Sequence, residues 1–179
     1  MSSEEESKSF QEIAAELKEM VRLDQEMRNK IKIARAEGKD EMYYFDASID
    51  LRNTERMKEI IGQIGWPTIS LVGENASHDA WLLVQHSDHD TEFQKKCLEL
   101  MEEAPDGEVN KRNIAYLTDR IAVHSGQPQI YGTQFSTSEN GELTMGNVID
   151  PENLDKRRKE VGLNPFADYL ERSTKYYSE

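Results

Sequence analysis

Apolar residues recur at three- and four-residue steps along the first part of the chain: Phe10, Ile13, Ala14, Leu17, Met20, Val21, Met27 and Ile31. That period predicts an amphipathic helix. Residues 1–8 are polar and charged with no such period, so 1–9 are expected to be a disordered tail. A second helix is predicted from near Asp50, through Leu51, Met57, Ile60, Ile61 and Ile64, with Gly65 at its left-handed end and Trp66-Pro67 turning the chain. Thr68 to Val72 is apolar but too short to decide between a brief strand and an ordered loop. Residues 74–86 carry Ala76, Ala80, Leu83 and Val84 on one side, and residues 90–104 carry Phe93, Cys97, Leu100, Met101 and Ala104, so both read as helices. Pro105-Asp106-Gly107 stops the second of these, and 109–123 starts another with Ile114, Leu117 and Ile121 inward.

After Gly126 the period changes from helical to alternating. Gln129–Ser136 and Glu142–Val148 read as strands, with Asn140-Gly141 between them as a hairpin turn. Asp150-Pro151-Glu152 has the pattern of a helix start, with Asp as N-cap and Pro in the first turn. Gly162 closes that helix, and Asn164-Pro165 opens the last one through Phe166, Tyr169 and Leu170. The expectation is a mainly α protein of about six helices with one β-hairpin near residues 129–148, forming a single helical domain over 10–179.

Composition narrows the function. The 179 residues are 36% hydrophobic and 32% charged, enough apolar content for a core without disulfide or metal. The net charge of −13 argues against a partner held through phosphates, so no nucleic acid is expected. No apolar run reaches the ~20 residues of a membrane span, and the first residues lack a signal peptide's basic and apolar regions. A cytoplasmic protein without membrane association is expected. A lone Cys97 on an apolar face reads as a buried core residue. Residues 74–107 hold nine acidic and two basic residues, a net of −7 that reads as a solvated helix face.

Polar residues that interrupt the apolar pattern are the candidates for chemistry. Steps of seven from Phe10 give Leu17, Asp24 and Ile31, so Asp24 lies in the middle of the apolar stripe, with Arg28 one turn on. Burying such a pair is costly unless it is hydrogen-bonded, so it is either a clip between helices or a ligand-facing pair. Gln85-His86-Ser87-Asp88-His89-Asp90 falls at a helix junction, where His86 could do acid–base work beside carboxylates and Asp90 could cap the next helix. Asp119-Arg120 with His124 shares a helix end, and Gln129-Ile130-Tyr131-Gly132-Thr133-Gln134 puts a glycine in a strand-like run. Leu154, Arg158 and Val161 follow the i, i+4, i+7 rule, so Arg158 points along an apolar face, toward a carboxylate, a phosphate or backbone carbonyls.

Gly65-Trp66-Pro67, Gln85-His86-x-Asp88-x-Asp90, Asp119-Arg120, Gln129-x-Tyr131-Gly132-Thr133-Gln134 and Arg157-Arg158-x-x-x-Gly162-Leu163 occur together and in this order. The set resembles a family of bacterial proteins known only as a domain of unknown function, over about residues 10–172, and Asp24 with Arg28 is similar to its pattern. The resemblance implies one shared site for these polar residues and no particular reaction.

The resulting expectation is a hydrolase or transferase without cofactor, acting on a small anionic or polar ligand. His86, Asp88 and Asp119 would be catalytic. Asp24, Arg28, Arg120, Tyr131, Gln134 and Arg158 would bind substrate. A non-catalytic binding module is the competing class. A metal-dependent phosphohydrolase built on His86, Asp88, His89, Asp90 and His124 is a third, although His86-x-Asp88-His89 at a helix junction points successive side chains apart. The purified protein is accordingly expected to carry no stoichiometric transition metal. Elemental analysis checks this; about one zinc, manganese or iron per chain, lost on mutating His86, would put the phosphohydrolase first.

Overall fold

In the computed structural model, which describes residues 3–137 and 143–178, the chain divides into two compact units, Met1–Val109 and Asn110–Glu179. The fold is mainly helical, with eight α-helices and a two-stranded antiparallel hairpin among the described residues. No helix is long and apolar enough to cross a membrane.

The first unit is all helical. Helix α1 (Ser3–Ala36) buries Ile13, Leu17, Met20, Asp24, Met27 and Ala34, a stripe of three-, four- and seven-residue steps that includes the charged position. The helix is thus already formed over part of the expected tail. A short 3-10 turn (Glu41–Tyr43) leads to α2 (Ala47–Ile64). This second helix begins one turn earlier than its apolar residues indicate, because Asp46 caps it by accepting from the Ser48 amide at 3.0 Å. It ends at Gly65, whose positive φ of +70° suits glycine, although its ψ of −156° lies outside the left-handed helical conformation expected there.

The undecided segment after Trp66-Pro67 is a single helical turn, α3 (Ile69–Val72). It is pinned by Glu108, whose carbonyl accepts from the Ile69 amide (3.0 Å) and whose carboxylate accepts from the Ser70 amide (2.8 Å). Helices α4 (Glu74–Gln85) and α5 (Thr91–Glu102) follow, and Asp90 caps α5 through the Phe93 amide at 3.0 Å. Leu17, Met57, Ile60, Ala80, Leu83, Val84, Cys97 and Met101 are wholly or almost wholly buried and form the core of this unit. Burial pushes the Cys97 thiol up to about 12, so at neutral pH it is a small apolar side chain, not a nucleophile.

The second unit starts with α6 (Lys111–His124), capped by Asn110. Strands β1 (Phe135–Thr137) and β2 (Leu143–Met145) pair antiparallel, Phe135 opposite Met145; the expected Asn140-Gly141 turn lies outside the described residues. Only part of the expected strands is strand. Gln129 to Gln134 is an ordered loop with one isolated bridge, Gln129 to Val148. Asp150 stands at the expected N-cap position, ahead of a 3-10 turn with Pro151 and Glu152 in it. It takes a left-handed φ of +42° and makes no capping bond, its carboxylate instead accepting from the Asn153 side chain at 2.7 Å. Pro151 therefore opens a 3-10 turn (Pro151–Asn153), and α7 (Leu154–Glu160) starts after it. The last helix, α8 (Phe166–Ser178), stacks Tyr169 on Phe135 with ring centroids 5.2 Å apart.

Candidate functional site

His86 is the C-cap residue of α4, where the helix has stopped and a side chain can turn across its end. Its Nδ1 lies 3.0 Å from Asp24 Oδ1 and 3.1 Å from Arg28 Nε, and Arg28 Nε lies 3.1 Å from the same Asp24 oxygen. These three atoms form a triangle between α1 and the end of α4. Asp24 is fully buried, and its second oxygen accepts from Gln25 Nε2 at 2.8 Å. Arg28 reaches on to α2, donating from Nη2 to Asp50 Oδ1 at 2.8 Å. One guanidinium thus ties two carboxylates on two helices.

The triangle serves either tautomer: an unprotonated Nδ1 accepts from Arg28 Nε–H, and a protonated Nδ1 donates to Asp24 Oδ1 beside Arg28 Nε–H. In the tautomer protonated at Nδ1 the basic nitrogen is Nε2, which has no hydrogen-bond partner among the described residues.

The two carboxylates are pushed in opposite directions. Burial alone would raise Asp24, but the hydrogen bond and charge of His86, with Arg28 and Gln25, outweigh it and hold its carboxyl below the ordinary aspartate range. At Asp50 burial wins over Arg28, and the repulsion of Asp24 adds to it, so that carboxyl is held above the ordinary range.

Hydroxyl and amide groups hold the turn that carries His86. Ser87 Oγ and Thr54 Oγ1 lie 2.7 Å apart in the core, and Thr54 donates to the Asp50 carbonyl at 2.8 Å. Gln94, fully buried on α5, donates from Nε2 to the Val84 and Gln85 carbonyls and to Asp88 Oδ1, at 3.2, 3.3 and 3.2 Å. Asp88 is therefore part of the turn's support, and His86 is oriented by Asp24 instead.

In the second unit, Asp119 is fully buried and accepts from the amides of Ile130, Tyr131 and Thr133 and from the Thr133 hydroxyl, at 2.7 to 3.2 Å. Arg157 and Arg158 hold the carbonyls of the same loop. Arg157 donates to Ile130 O at 2.8 Å and to the Ile149 and Asp150 carbonyls; Arg158 donates to Tyr131 O at 2.6 Å, Gly132 O at 3.3 Å and Asn164 O at 2.7 Å. Tyr169 donates its hydroxyl to Thr133 O at 2.7 Å, and Gln129 closes the loop through both backbone groups of Gln134.

The Arg158 guanidinium is buried over the Tyr169 ring, 4.9 Å from its centroid, and burial lowers its proton affinity from the usual arginine value. Gly132 sits at φ +62°, and a Cβ there would come 3.0 Å from Met145 Sδ. Arg120 donates to Gln134 Oε1 at 3.4 Å, on the same loop.

The expected site residues thus fall into two groups. Asp24, Arg28 and His86 meet in the first unit, with Asp88 in the turn beside them; Asp119, Arg120, Tyr131, Gln134 and Arg158 meet in the second. Asp50 was missed, although Asp50, Thr54, Met57 and Ile61 share one helix face at four- and three-residue steps, the same kind of interruption that marks Asp24. Among the described residues no three His, Cys, Asp or Glu side chains are grouped to hold a metal ion.

The chain belongs to the family of unknown function DUF6624, whose model matches residues 11–178. No curated protein and no solved structure matches the chain.

Two stability measurements follow from this geometry. Asp24→Asn is expected to cost about 3 kcal/mol near neutral pH, because it leaves Arg28 and His86 facing a neutral amide. Since folding depresses the Asp24 proton affinity, its contribution is present above the unfolded-chain value of about 3.9 and is lost as pH falls through the folded value. Urea melts across pH 7 to 2 should show the difference between the two proteins shrinking toward the acid end. Asp119→Ala strips partners from three amides and one hydroxyl, and a loss of about 3–5 kcal/mol is expected. A loss below about 1 kcal/mol in the same melts would show that Asp119 does not hold the loop.

Proposed function

We propose that this protein is an acid–base enzyme, a hydrolase or transferase acting on a small polar substrate without a redox cofactor, with His86 as its general base. The observation that carries the reading is the bond from His86 Nδ1 to a fully buried carboxylate, 3.0 Å away, with Nε2 unengaged among the described residues. In this reading Nε2 takes the proton of an attacking water or substrate hydroxyl. Asp24 fixes the tautomer and stabilises the imidazolium that forms. Arg28 Nη1, which also has no partner among the described residues, faces charge that develops on the substrate. The partner is then a small molecule and not a nucleic acid, in keeping with the net charge of −13, and the site of action is the cytoplasm, in keeping with a single buried cysteine.

The test is turnover of a panel of chromogenic carboxylic, phosphate and amide esters by the wild type, His86→Ala and Asp24→Asn. His86→Ala is expected to lose about a hundredfold or more. Asp24→Asn is expected to lose a similar amount, through the wrong tautomer. Turnover that survives both substitutions removes His86 from the chemistry. If nothing in the panel is turned over while a ligand still binds at His86, the protein is a binding module instead.

A further inference from the structure

The charges around His86 say more about the ligand than the presence of an arginine does. Arg28 is shared between Asp24 at 3.1 Å and Asp50 at 2.8 Å, so two carboxylates face one guanidinium, leaving a net negative charge while the imidazole is neutral. The two acids differ in what they have left to offer. Asp24 is wholly buried and both its oxygens are engaged. Asp50 uses only Oδ1, on Arg28; its Oδ2 has no partner among the described residues, and its side chain retains 11% of its exposure. A carboxylate mostly removed from water, with one oxygen left accessible outside the protein's own hydrogen bonds and its guanidinium shared, gains most from a cationic donor. A plain anion would have to approach against the net charge.

We propose, building on the acid–base reading above, that the substrate carries a protonated amine, seated on Asp50 Oδ2 beside His86. The ammonium restores charge balance: two carboxylates then face two cations. Its N–H donors meet the one carboxylate oxygen of the network that has neither a protein partner nor complete burial. The upward push that burial gives the Asp50 carboxyl is the same deficit seen in its proton affinity. The amine serves to hold the substrate, and the bond that reacts lies within reach of His86 Nε2.

The experiment titrates the full chain, at a pH where simple amines are protonated, separately with propylamine, ethanolamine, acetate and inorganic phosphate, following the His86 ring resonances by NMR. The amines are expected to shift these resonances saturably, acetate and phosphate to do so only at much higher concentration. Asp50→Asn is expected to weaken amine binding roughly tenfold or more, the loss of one charge-assisted hydrogen bond, and Asp50→Glu to restore part of it. Acetate or phosphate binding as well as the amines overturns the proposal, as does no saturable response to either amine; both comparisons use the wild type and need no variant to fold. Amine binding that persists in a protein with no turnover removes the enzymatic reading and leaves the amine site standing.

Discussion

A carboxylate in the middle of an apolar helix stripe has to be matched or the helix cannot pack. Asp24 sets that requirement for the first unit. It is met from three directions: Arg28 one turn along α1, Gln25 beside it, and His86 from the end of α4. Much of the local architecture serves that match. Helix α4 stops at His86, the following turn is tied by Ser87 to Thr54 and by Gln94 to two carbonyls, and Arg28 continues to Asp50 so that α2 joins the same network. Networks of this kind are strong only when complete, and the atoms without partners among the described residues, on His86, Asp50 and Arg28, are where the proposed ligand is placed.

The second unit uses buried charge for a different purpose. Asp119 gathers amides, and Arg157 and Arg158 gather carbonyls, so an irregular stretch of backbone is held without a strand ladder or a helix. Backbone groups away from water must be paired, and here side chains from α6, α7 and α8 do the pairing. Asp119 has its oxygens committed to the loop, which sets it apart from His86, whose Nε2 has no partner among the described residues.

Periodic features were readable from the chain and side-chain-to-backbone bonds were not. The α1 stripe exposed Asp24 as an interruption, and Leu154, Arg158 and Val161 placed Arg158 on an inner face, both as the structure has them. Asp50 escaped because the start of α2 is set by the Asp46 cap and not by apolar residues, so Asp50 read as a boundary when it is an inward position. Gln129 to Gln134 read as strand because its residues have strand composition, while the bonds that shape it come from residues ten or more positions away and leave no period behind. Asp150 stands where its N-cap signature places it, but its left-handed φ of +42° goes with a carboxylate that bonds the Asn153 side chain and makes no cap bond to a backbone amide.

The way the Gln129–Gln134 loop is held has a consequence for how this protein can change. Asp119, Arg157, Arg158 and Tyr169 hold its path through main-chain atoms that every residue possesses, and the Gln129 amide and Thr133 hydroxyl add side-chain bonds from within the segment. Gly132 is constrained further, since its φ of +62° strains any other residue and a Cβ there would press on Met145 Sδ at 3.0 Å. Much of what holds that path therefore lies outside the segment, on Asp119, Arg157, Arg158 and Tyr169, while within it Gln129, Gly132 and Thr133 are tied to the same path. Variation in what the loop displays and constancy in how it is built are controlled largely by different residues, which is the arrangement a surface needs to acquire a new specificity without refolding.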